Sequence, residues 1–84
     1  MKLYTIYDEK AESYGNPFSA LNDKVAIRIF EDASNDPSTQ IHHHKEDFIL
    51  YALANYNEDT AEITVLDKKQ YLIKAIAFAP EITD

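Results

Sequence analysis

Tyr4-Thr5-Ile6-Tyr7-Asp8-Glu9-Lys10-Ala11-Glu12-Ser13-Tyr14-Gly15-Asn16-Pro17-Phe18 is the stretch on which the reading of the fold turns. Its start alternates, with Leu3, Thr5 and Tyr7 on one side and Lys2, Tyr4, Ile6 and Asp8 on the other. β-Branched and aromatic residues favour an extended chain, which predicts a strand over residues 2–8. Neither side is fully polar, so both faces of the resulting sheet are expected to be partly covered. Asp8 to Asn16 is a polar connector holding the only glycine. Gly15 suits a positive φ there, and Pro17 biases Asn16 towards an extended conformation.

Past the connector, Phe18, Leu21, Val25, Ala26, Ile29, Phe30 and Ala33 recur at helical spacing, predicting a long helix over residues 18–34. Asn16, with Pro17 at the first helical position, is one candidate cap and Ser19 the other. Asn22, Asp23, Lys24, Arg28, Glu31 and Asp32 fall largely outside the apolar stripe, and Ile27 lies off it without explanation. Ser34-Asn35-Asp36-Pro37-Ser38 is a stop signal. A loop over residues 37–46 carries His42-His43-His44. The nearly continuous apolar run over residues 47–56 reads as a central strand. Asn57-Glu58-Asp59-Thr60 reads as a hairpin turn leading into a strand over residues 61–66. Asp67-Lys68-Lys69 reads as another turn. Residues 71–78 suit a helix through Leu72, Ile76 and Ala79, or a strand through Tyr71, Ile73 and Ala75. They are read as a strand that frays from Pro80 onward.

The totals set bounds. Eighty-four residues make one domain. Six tyrosines and four phenylalanines within a 45% hydrophobic chain supply one modest core, each large buried apolar side chain being worth roughly 1.5–3 kcal/mol. The absence of cysteine excludes disulfides and thiolate metal sites, and fits a reducing cytosol. Fifteen acids against eight bases give a net charge of -7. That balance argues against tight non-specific binding to DNA, which relies on Lys and Arg, while leaving room for a local basic patch. No apolar run approaches the roughly 20 residues of a membrane span, and the N-terminus does not read as a signal peptide. The expectation is a soluble, cytoplasmic protein without membrane contact.

The string Asp8 to Phe18, followed by Asn22-Asp23, Ala26, Arg28 and Phe30, resembles the small nonstructural protein of gokushovirus-type microviruses, phages with single-stranded DNA genomes. His44-Lys45-Glu46-Asp47-Phe48-Ile49-Leu50-Tyr51 and Asn57-Glu58-Asp59-Thr60 are similar to it as well. The resemblance covers residues 2–66. It departs at Lys45, where the family commonly has proline, and near Ala54 and Ala61, where it often has glycine. What it implies is a nonstructural role in the cytoplasm of the bacterial host, in DNA binding or in the switch from genome replication to single-strand packaging. The implied partners are single-stranded DNA and phage or host replication and packaging proteins.

Four constellations carry possible chemistry. Single strands are held by aromatic platforms in positively charged grooves. Tyr4, Tyr7, Tyr14, Tyr51, Tyr56 and Tyr71 could supply platforms, with charge from Lys2, Lys10, Lys24, Arg28 and Lys74. Lys10, Tyr14, Lys24 and Arg28 are the candidate nucleic-acid contacts. Tyrosine is also an ordinary strand residue that buries its ring, and Asp8, Glu9 and Glu12 weaken the pull of Lys10 on phosphate. His42 and His44 would share a side of an extended segment and could meet Glu46 at a metal. No fourth ligand is specified, so the run reads as an adventitious site at most and no metal or cofactor is expected. The many carboxylates form no catalytic pattern, and no phosphate loop, HExxH or nucleophilic triad is present, so no enzyme is expected. Arg28 reads as a surface partner of Glu31 or Asp32 along the helix.

The expectation is an α+β fold, a small antiparallel sheet of three or four strands in the order β-α-β-β-β, with the helix on one face. The second face, bearing Tyr and Ile, would be half exposed, and such a face commonly marks an interface. A homodimer is therefore expected. The rival to DNA binding is an acidic homodimeric adaptor that touches only protein.

Overall fold

A computed structural model describes residues 1–79. In chain order the strands are β1 (Lys2–Asp8), β2 (Ser13–Tyr14), β3 (Phe18–Ala20), β4 (Phe48–Tyr56) and β5 (Ile63–Lys74). Between β3 and β4 lie α1 (Asp23–Ser34), the short α2 (Gln40–His43) and a 3₁₀ turn over Lys45–Asp47, and a second 3₁₀ turn, Ala75–Phe78, follows β5. All pairings are antiparallel, in the order β2-β1-β4-β5, with β3 also on β1. The α+β class expected from the pattern is the one adopted, and β4 lies centrally as its apolarity predicts.

β2 and β3 lie along the same side of β1. Tyr7 faces Tyr14 and Asp8 faces Ser13, while Lys2, Leu3 and Tyr4 face Ala20, Ser19 and Phe18. They form one returning strand, broken at Gly15-Asn16-Pro17. Two bonds tie the break to β1: the Gly15 N–H donates to the Ile6 carbonyl at 2.8 Å, and the Thr5 hydroxyl donates to the Gly15 carbonyl at 2.8 Å. Gly15 does not use its freedom to take a positive φ; the left-handed positions among the described residues are Glu12 (φ 54°) and Ala61 (φ 63°). Ala61 thus stands where glycine would be least strained.

This pairing corrects the expected helix boundary. Phe18 to Ala20 is strand, and α1 begins at Asp23, giving 12 residues. Neither Asn16 nor Ser19 is the cap. Asn22 is: its side chain accepts the Val25 N–H at 3.0 Å, and Asp23 places a negative charge in the first turn, where the helix dipole favours one. The stripe shifts accordingly. Ala26, Phe30 and Ser34 are buried and Ile27 packs against the core, whereas Leu21 and Ile29 are 63% and 43% exposed.

The core lies between α1 and one face of the sheet, built on Tyr4, Ala20, Ala26, Phe30, Leu50 and Ala52. The Phe78 ring closes it edge-on to Phe30, with centroids 5.9 Å apart. Tyr4, wholly buried, donates its hydroxyl to the Asp23 carboxylate at 2.8 Å, and Lys2 joins that carboxylate at 3.2 Å. Burial, then the bond and charge of Asp23, hold the Tyr4 phenol well above the ordinary tyrosine range.

The hairpin turn after β4 is present. Asn57 Oδ1 accepts the N–H groups of Asp59 and Thr60, and the Ala61 N–H returns to the Asn57 carbonyl at 2.7 Å. Asp67-Lys68-Lys69, in contrast, does not separate two strands. Ala54 pairs with Val65 and Ala52 with Gln70, so Leu53 alone stands opposite the four residues from Leu66 to Lys69, which bulge out of register within β5. The ambiguous stretch from Tyr71 divides: strand to Lys74, 3₁₀ turn from Ala75 to Phe78. The fraying expected from Pro80 lies outside the described residues.

Candidate nucleic-acid interface

Strand alternation sends Tyr4, Leu50 and Ala52 to the core and Thr5, Tyr7, Ile49 and Tyr51 to the opposite face. Register then gathers aromatic rings there. Tyr7 pairs with Tyr14 across β1 and β2, and Tyr51 with Tyr71 across β4 and β5. Thr5, paired with Tyr51 on the strand between, is short and leaves room for the Tyr14 ring to lean across β1. Ring centroids lie 4.4 Å apart for Tyr7 and Tyr14, 6.2 Å for Tyr14 and Tyr51, and 6.1 Å for Tyr51 and Tyr71. The result is a continuous row of four phenols across four strands. Tyr7 and Tyr51 are half-buried, while Tyr14 and Tyr71 are 49% and 55% exposed. The Tyr7 phenol is pushed up by partial burial, and further by Tyr14, Glu12 and Glu9 beside it.

A cation stands over this row. Lys69, carried on the β5 bulge, places Nζ 5.5 Å from the Tyr51 centroid and 5.8 Å from that of Tyr14, within reach of the attraction between an ammonium and a ring face. Of the charges considered from the sequence, Lys2 is engaged by Asp23 and Lys74 by Glu9, each at 3.2 Å.

The candidate contacts Lys10, Tyr14, Lys24 and Arg28 do not form one site. Tyr14 belongs to the tyrosine row. Lys10 lies in the β1–β2 turn, lining a cleft of about 430 Å³ with Asp8, His44, Glu46 and Asp47. Lys24 lines a second cleft at the start of α1, beside Leu21 and Asn22. Arg28 is exposed on the helix, and it makes no ion pair with Glu31 or Asp32. Sequence reasoning missed Lys69. A bulge directly before Tyr71 is its only signal, and a turn gives the same local pattern.

The histidines are not aligned as an extended segment would align them, because Gln40–His43 is a helical turn capped by Thr39. His42 Nδ1 lies 3.1 Å from the Ser34 carbonyl and His43 Nε2 2.9 Å from that of Pro37. A carbonyl only accepts, so each of these nitrogens carries its proton. His44 instead groups with Glu46 and Asp47, their ligand atoms within 4.8 Å of one another. No helix among the described residues is long and apolar enough to cross a membrane.

Comparison with known proteins adds one finding. The model of the family described as Phage ORF5 protein matches residues 1–78. No curated protein and no solved structure matches the chain.

Proposed function

This chain belongs to the Phage ORF5 protein family, and from that premise we propose that it is a non-enzymatic accessory protein acting in the host cytoplasm during viral genome replication or single-strand packaging. It does so by holding single-stranded DNA on the tyrosine row. Its resemblance to the nonstructural protein of gokushovirus-type microviruses supports the link to a single-stranded genome. The observation that carries the reading is the row itself, four adjacent rings on the sheet face away from α1. Unpaired bases stack on such rings whatever their sequence, each stack being worth about 1–3 kcal/mol.

Fluorescence anisotropy with a labelled oligothymidylate tests it. Binding is expected at low salt and should weaken as salt rises. Tyr71→Ala, at an exposed position, should bind about 5- to 150-fold more weakly with an unchanged circular dichroism spectrum. Absence of binding at the lowest salt would overturn the reading.

The net charge of -7 favours a second one: a homodimeric adaptor for phage or host replication and packaging proteins, with the tyrosine row sealed between two copies. Sedimentation velocity separates the two. The adaptor is a dimer indifferent to added oligonucleotide, whereas the DNA-binding protein sediments with the strand.

A further inference from the structure

Resting on the DNA reading above, we infer that Lys69 is the group of the tyrosine face that meets phosphate. It occupies the stacking platform in the free protein and yields it when an unpaired strand arrives. The bulge is the first support. A strand that places four residues opposite one leaves ladder groups unpaired, and here that irregularity sets the Lys69 ammonium above the rings of Tyr14 and Tyr51.

The second support is that Lys69 forms no ion pair among the described residues. Thirteen of the fifteen acids precede Pro80, yet the ion pairs among the described residues engage the N-terminal amine, Lys2 and Lys74, and not Lys69. Lys69 is held by ring faces, a weak hold at an exposed site, so its charge is available to a stronger anion.

The third support is polarity across the face. Glu12 stands in the turn beside Tyr7, at one end of the row, and Glu9 there is already engaged by Lys74, while Lys69 reaches from the β5 bulge over Tyr14 and Tyr51. A phosphate backbone is repelled at Glu12 and drawn to Lys69. The strand's phosphates therefore follow β5 while its bases lie over Tyr14, Tyr51 and Tyr71. A duplex keeps its bases stacked inside and cannot use the rings. A sheet face of this breadth suits about two or three bases.

The test is the salt dependence of oligothymidylate binding for the wild type, Lys69→Gln, Lys69→Arg, Lys68→Gln and Tyr71→Ala. Losing one phosphate contact flattens the slope of log affinity against log salt by about 0.7 for a single strand. Lys69→Gln should show that flattening and weaker binding at low salt, and Lys69→Arg should restore both. Tyr71→Ala should lose affinity at an unchanged slope. If the wild type binds and Lys69→Gln matches it in affinity and slope, the role of Lys69 is overturned while the tyrosine row stands. Equal losses from Lys68→Gln and Lys69→Gln also overturn it, because charge on the bulge, and not its seat over the rings, would then matter. A wild type that fails to bind at the lowest salt removes both readings together.

Discussion

Tyr4 shows how much one side chain carries. Its ring fills the core under Phe18, with centroids 5.8 Å apart, and its hydroxyl reaches the Asp23 carboxylate at the start of α1. β1 and the helix are thereby pinned together by one phenol. Tyr4→Phe keeps the ring and removes the bond, an expected loss of about 1–2 kcal/mol at pH 7. The raised phenol adds a pH signature. In the unfolded chain Tyr4 ionises near the ordinary value of about 10, whereas in the folded chain it stays protonated beyond that. The folded state thus holds more protons above pH 10, and stability must fall as pH rises past that point. Below pH 10 this contribution is fully present. Urea denaturation of both proteins from pH 7 to pH 11 should show the gap between wild type and Tyr4→Phe narrowing only above pH 10.

At the scale of elements, α1 depends on a cap the pattern did not single out. Asn22→Ala removes the acceptor for the Val25 N–H, and about 1 kcal/mol of stability should go with it, read from a lowered urea midpoint at an unchanged slope. The spacing of Phe18, Leu21 and Val25 matches a helix, and periodicity alone cannot distinguish that from a strand followed by a cap. Pairing of Phe18 to Ala20 with β1 decides it, a contact with residues 14 to 18 positions earlier. The bulge was illegible for a related reason. Asp67-Lys68-Lys69 is turn-like by composition, and only pairing with β4 on both sides makes it an interruption of a single strand. β1, β4 and the Asn57 turn were legible, because alternation and side-chain-to-backbone bonding are local. Each tyrosine of the row could be named from the sequence. Their adjacency could not, since it follows from cross-strand register.

The whole molecule is elongated for its length. Its radius of gyration is 13.7 Å, with extents of 52 × 24 × 22 Å, against about 12 Å for a compact chain of this size. Its charge is unbalanced, and the three ion pairs among the described residues are all partly exposed. Such pairs contribute little, so screening weakens repulsion among the acids more than it weakens attraction. Raising sodium chloride from 20 to 200 mM should therefore stabilise the free protein by about 0.5 kcal/mol, or roughly 2–4 °C in a scanning-fluorimetry melt. The bulge of β5 has one more consequence. β5 is the outer strand of the sheet, and an uninterrupted twelve-residue edge would offer a long template for fibril growth. The break at Leu66 to Lys69, carrying two lysines, cuts that template into short pieces, which discourages copies of the protein at high concentration from joining edge to edge through their tyrosine-rich sheets.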